Sequence, residues 1–349
     1  MAGVADESRG LRRQQCIDVL CGYLRLPYDA AHGSSGRTKR VVTTPNPRVE
    51  DLDDPGKVEE HHEYRNNDRE VRATIVRVIA AHIRPEAEYS WSANDFDFRT
   101  AHLEDTDFDR AVFSGTASFD RAVFSGTASF DRATFSGTAR FVGATFTGTG
   151  SFSDATFSAD VSFDGATFSA DAWFDGATFC ADARFRGATF SRTVSFGGVI
   201  FSGTVSFRGA TFSADARFRG ATFSRTAWFA GATFSGTGSF SGATFSGGAW
   251  FGRATFSGTV SFSSVIFSGT VSFDGATFSA DASFGGAAFS GTCTFKKVDF
   301  GVQPISFANP KRWGPPEPVF DWSEDITSKP ATIEPQDWPP VAASLAASQ

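Results

Sequence analysis

Histidine and cysteine are the side chains with which a chain would ligate a metal or mount a nucleophilic attack, and here there are five and four of them. The histidines are His32, His61, His62, His82 and His102. His61 and His62 adjoin in VEEHHE, which reads as helical, and neighbouring helix positions do not face one ion together. A solvated face accounts for them. Cys16 and Cys21 stand five apart in CIDVLC, on different faces of a helix and at no zinc or disulfide spacing. Cys180 and Cys293 are remote from them, so free, reduced thiols are expected. No nucleophile, base and orienting acid assemble, and no glycine loop of phosphate-binding form precedes a helix. The sequence points to no enzyme, no cofactor and no metal site.

Arginine and tryptophan remain, and their chemistry is recognition. Between residues 105 and 183, eleven Asp face four Arg. Between 184 and 225 the balance reverses: Arg184, Arg186, Arg192, Arg208, Arg217, Arg219 and Arg225 meet only Asp215. Trp173, Trp228 and Trp250 occupy a position that Ser usually holds. Exposed Trp beside Arg suits an interface, so the candidate interaction surface is Trp173, Arg184, Arg186, Arg208, Arg217, Arg219, Trp228 and Trp250.

What must position these residues is a repeat. From Phe108 to Phe295, and again from Phe113 to Phe300, phenylalanine recurs at every eleventh position. Each series holds 18 rings, so 36 of the 40 phenylalanines belong to one periodic device and not to an ordinary mixed core. The spacings within a period are 5 and 6, and the residue two places before each Phe is nearly always small, as in Ala111, Ala117, Ala122 and Ala128. Alternation along a short strand puts the small residue and the Phe on one face and the intervening Ser or Thr on the other. Glycine with a polar neighbour turns each corner. An aromatic stripe of this kind is core, and no repeat Phe is assigned a ligand role.

The stretches AVFSG, ATFSG and ASFDG, with the Leu-centred AHLED at 101–105, resemble the pentapeptide-repeat family over about residues 96–307. The sequence departs from the plain pattern by one extra residue, such as Thr116, in every second unit. That undecapeptide rhythm resembles a variant common in actinobacterial proteins. The resemblance implies an all-β solenoid, a right-handed quadrilateral β-helix of about nine 22-residue coils. At ~4.8 Å per coil the rod would be about 43 Å long. A three-sided hexapeptide helix would need an unbroken spacing of six, which the alternation of 5 and 6 opposes.

The flanks divide the chain further. Residues 1–95 read as a helical N-terminal region, with helices over 11–26 and 58–83 and a flexible linker at about 28–57. Their inward faces are expected to carry Cys16, Val19, Leu20, Tyr23 and Leu24, then Val71, Ile75, Val78, Ile79 and His82. The segments CIDVLCGYLR and VRATIVRVIAAHIR resemble the helical lead-in of such proteins, which covers the first coil, with Trp91, Phe96 and Phe98 closing the junction. Residues 308–349 form an irregular Pro/Trp-rich C-terminal tail, expected to be a cap over 308–325 and disordered over the final twenty or so positions.

A net charge of -7 and a pI near 5.3 imply a chain not drawn as a whole to nucleic acid or anionic membrane. It has no apolar window of about 18 residues, and MAGVADESRGLRRQQ lacks a secretory core. The expected location is cytoplasmic. The function expected is a non-catalytic scaffold whose outward faces bind a protein partner not named by the sequence; homodimerisation stays open. The resemblance adds an alternative, a DNA mimic acting on DNA gyrase, which the near-neutral repeat disfavours. Ordered ladders of Thr145, Thr167, Thr189 and Thr211 leave ice binding as a third reading.

Overall fold

The computed structural model describes residues 1–28, 39–45, 57–63 and 68–343. Each eleven-residue unit brings two strands, so two units complete one turn with four faces. In chain order from Thr145, a turn lays down Thr145–Phe146, Gly150–Ser151, Thr156–Phe157 and Val161–Ser162, called here the first to fourth faces. Each strand pairs in parallel with its equivalent in the next turn, Thr145 with Thr167 and Val161 with Ala183. The longer strands His102–Asp107 and Val123–Ser129 bend round a corner and join the first and second faces. The third and fourth faces are stacks of 10 and 11 strands. The result is a four-sided parallel β-solenoid of about ten turns.

The Phe of each side points inward, and the small residue before it gives the ring room. Within a column the rings lie nearly parallel at the strand spacing, as with Phe119 and Phe141 at 4.8 Å and 6°. Between the columns of the second and fourth faces they meet edge to face, as with Phe141 and Phe152 at 5.5 Å and 89°. Both arrangements suit the aromatic quadrupole. Every repeat Phe from Phe108 to Phe295 is at most 1% exposed, so each contributes about 1.5–3 kcal/mol of burial. Cys293 takes the small inward slot before Phe295, as its position in the repeat predicts.

The corner after each second- and fourth-face Phe takes a special backbone conformation. Two residues past the second- and fourth-face Phe the chain takes a left-handed conformation, at Gly165, Gly187 and Gly209 but also at Arg121, Asp154 and Ser264. Glycine adopts it without strain, which explains its abundance there. The residue just before this position is often Asp, and its carboxylate accepts an amide one full turn on. Examples are Asp120 with Val142 N (2.9 Å), Asp164 with Arg186 N (2.8 Å) and Asp175 with Gly197 N (2.9 Å). Much of the acidic charge read along 105–183 is therefore cornerwork between coils.

Three helices close the N-terminal end: α1 (Ala2–Glu7), α2 (Leu11–Leu24) and α3 (Asp68–His82). The second expected helix begins later than the sequence suggests, at Asp68, because Lys57–Glu63 pairs antiparallel with Lys39–Pro45 instead. This strand pair also places ordered backbone within the expected linker at 28–57, whose other residues from 29 to 38 and 46 to 56 lie outside the described ones. His61 and His62 accordingly sit on a strand. The inward faces are rotated by about one residue: Ile17, Cys21 and Leu24 are buried on α2, with Arg72, Val76 and Ile79 on α3, while Val19 and Val71 are exposed. Apolar residues lie on both sides of these helices, and the inward face of α3 carries Arg72. Its guanidinium donates to the Tyr23 and Leu24 carbonyls at the end of α2, where helix carbonyls lack partners. Burial pushes the Cys21 thiol up to about 12. Trp91, Phe96 and Phe98 close the junction as expected, all at most 1% exposed, with Trp91 stacked on His82 at 4.0 Å.

His102 lies at this seam, bonded to Ser125 Oγ (2.9 Å), with the Glu104 carboxylate at 3.8 Å and the Tyr28 ring centroid at 5.2 Å. Burial holds its pKa below the ordinary 6.5, the nearby Arg72 charge acts the same way, and Glu104 opposes them. The unfolded chain then takes up the proton first, so the stability due to neutral His102 is complete above about 6.5 and is lost as pH falls through the folded value. Thermal melts across this range should show the decline, and His102→Gln should flatten it.

The C-terminal segment departs from an irregular tail. Residues past 307 make a further turn, with Trp313 in register with Phe289, Phe320 with Phe295, and Ile333 with Ile305. Phe320 extends a ring column at 4.7 Å and 1° from Phe295. Trp338 lies beneath, perpendicular to Phe307 at 5.8 Å and to Trp313 at 5.3 Å. Order therefore runs well past 325, to residue 343; residues 344–349 lie outside the described ones.

Candidate interaction face

Register decides which of the Trp and Arg residues share a surface. On the fourth face, Arg140, Ser162, Arg184, Ser206, Trp228, Trp250 and Ser272 follow one another as direct Cα partners. On the second face, Ser151, Trp173, Ser195, Arg217 and Ser239 do the same. These faces are opposite sides of the rod. The eight candidate residues are thus two groups: Arg184, Arg186, Arg208, Trp228 and Trp250 together, and Trp173, Arg217 and Arg219 behind them. The belt wraps the solenoid, because one eleven-residue unit carries the chain through half a turn.

The fourth-face group is organised. Trp228 and Trp250 stack at 5.4 Å and 17°, and the Arg208 guanidinium, from the preceding turn, lies 5.5 Å from the Trp228 centroid. Three tiers of π and cation surface therefore run along the rod. Both indoles are half-buried against the sheet. Trp250 Nε1 lies against Gly248, where a Cβ would stand 3.0 Å away. Thr226 and Thr270 hold the equivalent position in adjacent turns. Sequence reasoning misses Gly248; SGGAW, in place of SGT or SAD before the strand, is its only signal.

Beside Trp228 is a groove of about 320 Å³ lined by Asp182, Arg184, Arg186, Ser206, Arg208 and Trp228, together with Ala183 and Thr204. Arg184 reaches Asp160 at 3.6 Å. Arg186 and Arg208 have no carboxylate within ion-pair distance among the described residues. On the opposite face Arg217 is paired with Asp215 at 3.2 Å. Among the described residues, no group of His, Cys, Asp and Glu could hold a metal ion, and no helix is long and apolar enough to cross a membrane. The threonine ladder of the first face is continuous from Thr145 to Thr277, on the side between the two arginine-bearing faces.

Four-sided parallel coils around a buried phenylalanine lattice define a β-solenoid repeat protein. A family model described as pentapeptide repeats (9 copies) matches residues 108–156, 152–200, 196–244, 218–266, 240–287 and 262–307. Together these matches span 108–307, more than half of the chain, and the chain belongs to the pentapeptide-repeat family. No curated protein and no solved structure gives a significant match.

Proposed function

We propose that this protein is a non-catalytic scaffold that docks a protein partner on the fourth face of its solenoid. The observation that carries the reading is the Arg208–Trp228–Trp250 stack. Two indoles on adjacent turns supply rigid apolar area, and arginines supply orientation, which is the composition of interface hot spots. The core residues are all engaged in packing, so binding must use the outward slots. A DNA-mimic reading is less well supported: it needs sustained negative charge along the rod, whereas this face is basic at its middle and several Asp carboxylates are engaged by amides.

The test is co-purification from the native cell, comparing wild type with Trp228→Ser/Trp250→Ser and with Trp173→Ser on the opposite face. A partner retained by Trp173→Ser and lost by the double variant supports the reading. A partner retained by all three places docking elsewhere.

A further inference from the structure

The groove beside Trp228 has a history in the repeat that identifies its occupant. In other turns a corner Asp serves two donors in the coil that follows. Asp131 accepts the Ser151 hydroxyl and, at 3.0 Å, the Ser153 amide. Asp175 does the same for Ser195 Oγ at 2.5 Å and Gly197 N at 2.9 Å. On the fourth face itself, Asp120 accepts Arg140 Nε and Val142 N, both at 2.9 Å. Carrying this arrangement to Ser206 puts residue 186 in the acceptor's place, and residue 186 is arginine.

The substitution leaves donors facing donors. The Ser206 hydroxyl is buried without a hydrogen-bond partner. Arg208 N lacks the carboxylate that caps the equivalent amides, and the Arg186 guanidinium adds further donors. Asp182 lines the groove, but its Oδ1 is engaged by Thr204 N at 2.9 Å. The opposite face supplies a contrast. Arg219 occupies the same corner slot there, yet the hydroxyl of Ser239, the counterpart of Ser206, is bonded to Ser241 Oγ at 3.4 Å and is not orphaned.

We infer that this groove receives a carboxylate from an acidic, Asp- or Glu-rich segment of the partner, standing where the repeat's own Asp stands in other turns. The inference rests on the docking role of this face and gives its chemistry. The incoming oxygens accept from Ser206 Oγ, Arg208 N and the Arg186 guanidinium, with Arg184 at the rim. Charge-assisted bonds of this kind are the strong ones, and planar guanidinium suits a planar carboxylate. The Trp228 wall shields the contact from water on one side.

The experiment titrates the full-length protein with hexa-aspartate by calorimetry. Wild type should bind it. Arg186→Asp returns the repeat's own carboxylate, so it should bind at least about tenfold more weakly while melting no lower than wild type. Arg192→Gln/Arg217→Gln/Arg219→Gln removes more charge from the belt overall but not from the groove, and it should bind within about threefold of wild type. Equal loss in both variants would reduce the effect to net charge and overturn the inference, as would wild-type binding by Arg186→Asp. Inorganic phosphate competing as well as the peptide would also overturn it, in favour of a general oxyanion site. If wild type ignores hexa-aspartate while Trp228→Ser/Trp250→Ser still loses a co-purified partner, the carboxylate inference falls and the docking role stands.

Discussion

Phe207→Ala should lower stability by about 3–5 kcal/mol, the largest effect expected from any single substitution in the rod. Phe207 is fully buried midway along its column, 4.8 Å from Phe185 and 5.0 Å from Phe229, and is met edge-on by Phe196 at 5.3 Å and Phe218 at 5.4 Å. Truncation removes transfer energy and leaves a cavity whose walls are fixed by their own stacks, so little collapse can relieve it. Each turn contacts only its neighbours, and a hole in the middle also uncouples the two halves. Chemical denaturation followed by circular dichroism should then show a lower midpoint and a broader transition. Phe207→Leu should cost under about 1.5 kcal/mol, because Leu103 already fills a Phe slot at 1% exposure. Equal losses for Ala and Leu would mean that ring stacking, and not volume, dominates the core.

A chain ending at residue 307 should associate end to end. The last turn supplies the parallel strands that cover Ala288–Phe289, Cys293–Phe295 and Ile305–Ser306, and its Trp313, Phe320 and Trp338 cover the rings of Phe289, Phe295 and Phe307. Removing it exposes unpaired strand edges and aromatic rings on one surface, a ready template for a second chain. Light scattering should show mass growing with concentration in the truncated chain to a greater extent than in the full one. If both chains scatter alike, Trp338 and its neighbours do not function as a cap.

The solenoid is legible because its cause is local. Alternation within ATF or ASF, a glycine corner and an eleven-residue period each act within one turn, and stacking Trp228 on Trp250 follows from the doubled period alone. Two kinds of feature are not legible. The helix faces escape sequence reasoning because apolar residues flank both sides of α2 and α3, and the buried face of α3 includes a charged residue, Arg72, held by the Tyr23 and Leu24 carbonyls. The C-terminal turn reads as a tail because its proline-rich phrase breaks the period. Phe320 nonetheless holds its column above Phe295, reached by a longer path than the repeat allows and one that sequence spacing cannot anticipate. The candidate site is half legible. Its residues can be named, but grouping Trp173 and Arg217 with Trp228 ignores that an odd number of eleven-residue units reverses the side of the rod. The orphaned Ser206 emerges only when equivalent corners are compared atom by atom.

That reversal gives the face a parity. Gain or loss of one whole turn anywhere between Arg140 and Ser272 would change the spacing along the rod while every outward residue keeps its side. Gain or loss of a single half-turn unit between Arg208 and Trp228 would preserve the core just as well, since Phe follows Phe in either case, yet it would carry both indoles round to Trp173's side. Duplication in whole turns lengthens such a protein and leaves its binding face coherent; duplication in half turns divides the face between two sides, with no cost in stability to oppose it.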